Sequence, residues 1–232
     1  MTDTVLDGLT HPRPPISARW VVTAVFFAFA MGLGLWAGAT PTLMQQAGLS
    51  AAGLGIALTL HSAAYVIAMT GGGWLAHHIE PRRLILMALP LHAAVFVLLF
   101  SAGSPWVLTL ALTLVGFTAG SIDLGMNAEG TAVERDMGRP VLTRMHAAGS
   151  AAFAIGALLG SLLATGAGPL WCALLAVGTV LPVVWAVARL GPRGQVAAAP
   201  QGGAPRAGLG ATVWLLGTML GLSVAAETTA AM

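Results

Sequence analysis

Asp123 and Asn127 stand four residues apart after a long stretch without charge, a spacing that stacks both side chains on one face of a helix. An ionised Asp inside a membrane span costs about 2.5 to 3.5 kcal/mol on insertion scales, so such a residue faces water, a partner or the interior of a bundle. Burial disfavours the charged form of a carboxyl group, which lets an acid in that setting load and release a proton. The competing use of Asp123 is structural, as a helix cap or as the ion-pair partner of Arg139 or Arg144. Histidine titrates near neutrality, so His61, His92 and His146 are candidates for proton relay or for hydrogen bonding to a solute. For His61 and His92 the competing use is a ring satisfied by a backbone carbonyl. Asn127, Trp36 and His61 are the candidate solute contacts, with Trp36 alternatively joining Trp106 and Trp171 in an interfacial aromatic belt. Glu129 and the run Glu134-Arg135-Asp136 are expected in a loop, as solvated or interfacial ion pairs. His77-His78 is too sparse for a metal site, which wants three or four ligands at defined spacing. No nucleophile–base pair stands out as it would in a membrane-embedded enzyme; no metal, cofactor or catalytic residue is expected.

The elements that carry these residues are written in the distribution of charge. Trp20 to Ile79, Leu84 to Ile122 and Met145 to Ala188 contain no Asp, Glu, Lys or Arg. Each block is interrupted by turn chemistry: Pro41/Gly48/Ser50, Ser101-Ala-Gly-Ser-Pro105 and Gly166-Ala-Gly-Pro169. A bilayer core about 30 Å thick needs about 20 apolar residues of helix, so each block is long enough for a helical hairpin. The expected spans are Trp20 to Ala39, Ala51 to Ala76, Leu84 to Phe100, Pro105 to Met126, Ala147 to Thr165 and Pro169 to Ala188, with a seventh from about Ala211 to Ala226. Hydrophobic residues make up 57% and charged residues 8% of the chain, far from the roughly 25% charge of soluble domains, which excludes a soluble fold. The expected organisation is a cytoplasmic tail at 1–19, a six-span bundle at 20–188, a flexible Gly/Pro/Ala-rich linker at 189–210, and the seventh span within 211–232.

All ten basic residues are arginines flanking these blocks. Arg13 and Arg19 precede span one, and Arg82 and Arg83 follow span two. Arg135, Arg139 and Arg144 separate spans four and five, and Arg189, Arg193 and Arg206 follow span six. Alternating spans put all of them on one side of the membrane, which the positive-inside rule assigns to the cytoplasm together with the N-terminus. The sequence pI is near 9.5, yet the net charge is only +2, and insertion topology accounts for the arginines without a nucleic-acid partner. Cys172 lies alone inside span six and defines no disulfide framework. The pairs Gly34/Gly38, Gly116/Gly120, Gly156/Gly160 and Gly217/Gly221 have the small-xxx-small spacing that lets helix backbones approach, and are read as packing.

Two segments resemble the major facilitator superfamily of secondary transporters, and within it the fucose-permease-like branch. Gly73-Trp-Leu-Ala-His77-His-Ile-Glu80-Pro-Arg82-Arg83 is similar to the superfamily's loop between spans two and three, with His77 at its acidic position and Glu80 at its second glycine. Gly116-Phe-Thr-Ala-Gly120-Ser-Ile-Asp123-Leu-Gly-Met-Asn127-Ala-Glu129, followed by Arg139-Pro140 and Arg144-Met-His146-Ala-Ala-Gly149-Ser150, resembles the end of span four, the central loop and the start of span five in the branch. Glu227-Thr-Thr-Ala-Ala-Met resembles its span-seven ending.

The resemblance implies an all-α polytopic membrane protein: a six-helix major-facilitator half-bundle plus a seventh transmembrane helix that begins a second bundle, which would be supplied in cis or in trans. It further implies a proton-coupled carrier of a small, sugar-like or drug-like solute in the bacterial cytoplasmic membrane. Proton coupling would fall to Asp123 and His146, solute binding to Asn127, Trp36 and His61, and conformational control to Gly73, His77, Arg82 and Arg83. The branch's acid in span one has no counterpart between Trp20 and Thr40, so sugar specificity is not carried over. The competing expectation is a membrane protein that transports nothing, or an inert truncated product.

Overall fold

Inside lipid, backbone N–H and C=O groups find no water, so each spanning segment satisfies them internally as helix. The computed structural model describes residues 16–75 and 79–190, and helix is the regular structure it contains there: α1 (Ile16–Ala47), α2 (Ala51–Leu75), α3 (Pro81–Phe100), α4 (Pro105–Met137), α5 (Leu142–Gly166) and α6 (Leu170–Arg189). All six are long and apolar enough to cross a membrane. The expected tail up to residue 15, most of the linker, and the seventh span lie outside the described residues, as do His77 and the Gly217/Gly221 pair.

Two expectations about element ends are corrected. Pro41 lies inside α1 and does not break it; the break comes at Gly48, whose φ of 65° favours glycine. There the Gly48 and Leu49 amides donate to the Gln45 and Met44 carbonyls, a Schellman closure. The second correction concerns α4, which continues through Glu129 and Glu134-Arg135-Asp136 to Met137 and leaves only a short turn at Gly138 before α5. These polar residues sit on the last turns of a helix, not in a loop. The turns at Ser101–Ser104 and Ala167–Pro169 fall where turn chemistry put them. Pro105 opens α4 behind Ser104, whose hydroxyl accepts from the Val107 amide.

The most extensive packing joins α1 to α5, and then α2 to α4; α3 packs on α4 and α6, and α1 on α6. Exchanging α1–α3 with α4–α6 maps these pairings onto one another, the internal repeat expected of a half-bundle. Both principal seams are built on the sequence-read glycines. A methyl group on Gly38 would run into the Ala157 carbonyl, and one on Gly160 into the Leu35 carbonyl, so α1 and α5 touch backbone to backbone. On the other seam, Gly116 and Gly120 of α4 lie against the His61 and Tyr65 carbonyls of α2. The core divides along the bundle. Leu35, Leu43, Phe96, Phe100 and Leu112 fill one end, while Val25, Phe26, Ile85, Leu89, Ile122 and Met145 fill the arginine-bearing end.

Candidate functional site

α4 carries Asp123 just past its midpoint, and the α2–α4 glycine seam brings Tyr65 to it. The Tyr65 hydroxyl donates to Asp123 Oδ2 at 2.5 Å. One turn further along α4, the Asn127 amide nitrogen donates to Asp123 Oδ1 at 2.8 Å and to the Asp123 carbonyl at 2.9 Å. That leaves Asn127 Oδ1 facing α5, where it lies 2.9 Å from His146 Nε2. An amide oxygen only accepts, so this imidazole nitrogen donates. α1 completes the group by setting Phe26 edge-on to His146, ring centroids 4.8 Å apart. The network therefore ties three spans together with every donor directed toward the acid: His146 to Asn127, Asn127 to Asp123, and Tyr65 to Asp123. It suits a carboxylate, and a proton arriving at Asp123 weakens these bonds by removing the charge that strengthens them.

Beside the network a cavity of about 350 Å³ opens between α1, α4 and α5, walled by Phe26, Phe29 and Phe153 with Asp123, His146 and Ser150 as its polar groups. Among the described residues Asp123 pairs with neither Arg139 nor Arg144, the ion-pair partners weighed from sequence. Its contacts are with a tyrosine and an amide.

Trp36 and His61 meet elsewhere on the bundle, their rings 5.2 Å apart. His61 Nδ1 lies 3.0 Å from the Leu112 carbonyl, which fixes that nitrogen as the donor. Trp36 thus packs inward on α2, whereas Trp106 and Trp171 are 85% and 55% exposed, as a belt residue must be. His92 is fully buried behind α1 and α4, with Nδ1 2.6 Å from Thr118 Oγ1. The Thr118 proton goes to the Leu114 and Val115 carbonyls, so His92 Nδ1 is the donor. Its Nε2 is buried without a partner between Phe29 and Phe96.

At the arginine-bearing end, Arg82 donates from Nε to Glu129 Oε1 at 2.7 Å, with both side chains nearly buried. This pair locks the start of α3 to α4; Arg83 is exposed and reaches Glu80 only at 3.8 Å. Glu134 has a different task. Its Oε2 accepts from the Val141 and Leu142 amides, both at 2.8 Å, and so caps α5 from across the turn.

Sequence reasoning missed Tyr65. The available signal was that it is the only tyrosine in the chain and sits within an apolar span, where a phenol hydroxyl needs a partner.

Six apolar helices and an acid network held between spans define a polytopic helical membrane protein. The chain belongs to the Major Facilitator Superfamily, whose sequence profile matches residues 21–230. It is 28% identical to an uncharacterized MFS-type transporter of Yersinia pestis over 149 residues, covering 64% of this chain and 38% of that protein. Similarity to the uncharacterized transporter y4wD of Sinorhizobium fredii is 32% over 141 residues, covering 60% of this chain and 36% of the relative. The membrane protein MosC of Rhizobium meliloti is 25% identical over 146 residues, covering 62% and 35%. The matched stretch thus spans well under half the length of each of these curated relatives. No solved structure matches the chain.

Proposed function

We propose that this chain supplies one bundle of a proton-coupled secondary transporter working by alternating access, within the fucose-permease-like branch of the superfamily. The observation that carries the reading is the convergence of the Tyr65 and Asn127 donors on Asp123 beside an aromatic cavity. Asp123 is the proton-loading group. In its charged form it holds α2 through Tyr65 and α5 through Asn127 and His146; protonation gives up part of that hold and frees spans to move. His146 serves the same step from α5, and Asn127 holds the acid or the solute. Trp36 and His61 form a second solute contact. Arg82, with Arg83, Gly73 and His77 in the preceding segment, acts as the conformational loop, and its bond to Glu129 latches α3 to α4.

Substrate sites in this architecture lie between two bundles, so a second bundle, in cis or in trans, closes the cavity. The three relatives are bacterial and the arginines gather at one end, which supports the bacterial cytoplasmic membrane with the N-terminus inside. The test is Asp123→Asn in vesicles bearing the complete carrier. This change keeps size and removes titration; the Asn oxygen still accepts from Asn127, and the Tyr65 hydroxyl can turn to accept from the new amide nitrogen. Solute-driven proton uptake and accumulation against a gradient should both be lost, with solute counterflow retained. Full proton uptake by Asp123→Asn would make Asp123 structural.

A further inference from the structure

The chemistry of the cavity narrows the class of solute it can take. Phe26, Phe29 and Phe153 line it, and among the described residues the charged group in the wall is Asp123, with no lysine or arginine. A carboxylate has about four lone-pair sites, of which Tyr65 and Asn127 take one on each oxygen, so both oxygens keep capacity for a further donor. The nitrogen of His146 that donates to Asn127 leaves Nδ1 as an acceptor in the neutral ring. Acceptors and aromatic faces are the surroundings in which ammonium groups bind. On this bundle's side of the cavity an anionic solute would meet a carboxylate and no counter-charge.

We infer, resting on the transport reading, that the cavity takes an organic ammonium solute, and that this cation and a proton occupy Asp123 in alternation. The step balances simply: a protonated Asp123 gives its proton to water as the solute's positive charge takes its place beside the carboxylate. One carboxylate neutralised in turn by two cations makes the carrier an exchanger of solute against protons. The titratable groups facing Asp123 are Tyr65 from α2 and His146 from α5; α1 presents phenylalanines, and α3 contributes Arg82, which is engaged with Glu129.

The experiment compares benzyltrimethylammonium, benzyl alcohol and phenylacetate binding to the complete carrier, with both bundles present, in lipid nanodiscs, with a pH-indicator dye in weak buffer to read proton release. The expected result is cation binding at least about tenfold tighter than either competitor, a ratio equivalent to about 1.4 kcal/mol, with protons released on cation addition and weaker cation binding as pH falls. Asp123→Asn should abolish both the preference and the release. Phe153→Leu, on a half-exposed wall residue, should weaken the cation several-fold while benzyl alcohol changes little, and this arm decides the matter should Asp123→Asn lower the melting temperature severely. Equal or tighter binding of benzyl alcohol or phenylacetate, a preference that survives Asp123→Asn, or no binding of the cation at millimolar concentration each overturns the inference. Failure here leaves the transport reading open to its own test, since proton-coupled movement of a neutral solute would uphold that reading alone.

Discussion

Tyr65 and Asp123 divide the work of the site between holding and titrating, and the two can be separated by substitution. A phenol in an apolar span is placed at a cost unless its hydroxyl is bonded, and here its 2.5 Å bond to Asp123 joins α2 to α4. Tyr65→Phe removes the tie and leaves the acid. It should lower thermal stability by about 1.5 to 3 kcal/mol, the range for a hydrogen bond to a charged group. More tellingly, proton uptake should persist but no longer follow solute, appearing as a leak in vesicles without solute. Asp123→Asn, by contrast, should remove proton uptake altogether. A Tyr65→Phe variant with fully coupled transport would reduce the tyrosine to a packing residue. The lone Asp123 and the i, i+4 Asn127 were legible in sequence because a charge that directly follows a long apolar block stands out. Tyr65 was not, because its partner is 58 positions away and no local pattern records that contact.

The helices owe their positions to devices of different legibility. Glycine spacing on α1, α4 and α5 was visible in the sequence, but which helix each pair would meet was not; the choice follows from facing carbonyls on α5, α2 and α1. Gly38→Ala drives a methyl group into the Ala157 carbonyl, a backbone atom that cannot swing away. It should destabilise the bundle by about 1 to 3 kcal/mol, as overpacking does. Gly55→Ala, where a methyl group meets open space, should be neutral or stabilising by up to about 1 kcal/mol. Equal melting temperatures for the two variants would refute the close-packed seam. The start of α5 depends on a different device, since Val141 offers no side-chain cap and Glu134 supplies one from the end of α4. Glu134→Ala should speed hydrogen exchange at Val141 and Leu142 and loosen the first turn carrying His146, with Glu134→Gln restoring part of the protection. Unchanged exchange in Glu134→Ala would show that the turn at Gly138 positions α5 unaided. The long α4 was hidden for a related reason: Glu129 to Asp136 is polar enough to pass for loop, yet Glu129 is spent on Arg82 and Glu134 on the cap, so the helix keeps its polar turns.

Six spans were legible because a bilayer imposes one length and one backbone solution on each, and the finished bundle sorts its charged and aromatic residues as that solvent demands. Arg19 lies over Trp20 and Arg189 over Trp185, each guanidinium about 4.5 Å from the ring centroid, at the end that also holds Arg82 and Arg135. Trp106 and Trp171 stand exposed at the opposite end, so tryptophans flank both ends of the bundle, as at the two interfaces of a bilayer. The arginine-bearing end should therefore face the cytoplasm. Single cysteines test this in a Cys172→Ala background, a mild change because the thiol is buried with only a weak contact, 3.7 Å, to the Gly160 carbonyl. Gly103→Cys and Ala167→Cys place an exposed thiol in the turns at the tryptophan end, and Thr143→Cys places one at the start of α5 at the other. In intact cells an impermeant maleimide should label the first two and spare Thr143→Cys, which should react only after the membrane is opened. Labelling of Thr143→Cys in intact cells, with the turn cysteines protected, would invert the topology and place Arg82, Glu129 and the start of α5 on the outer face.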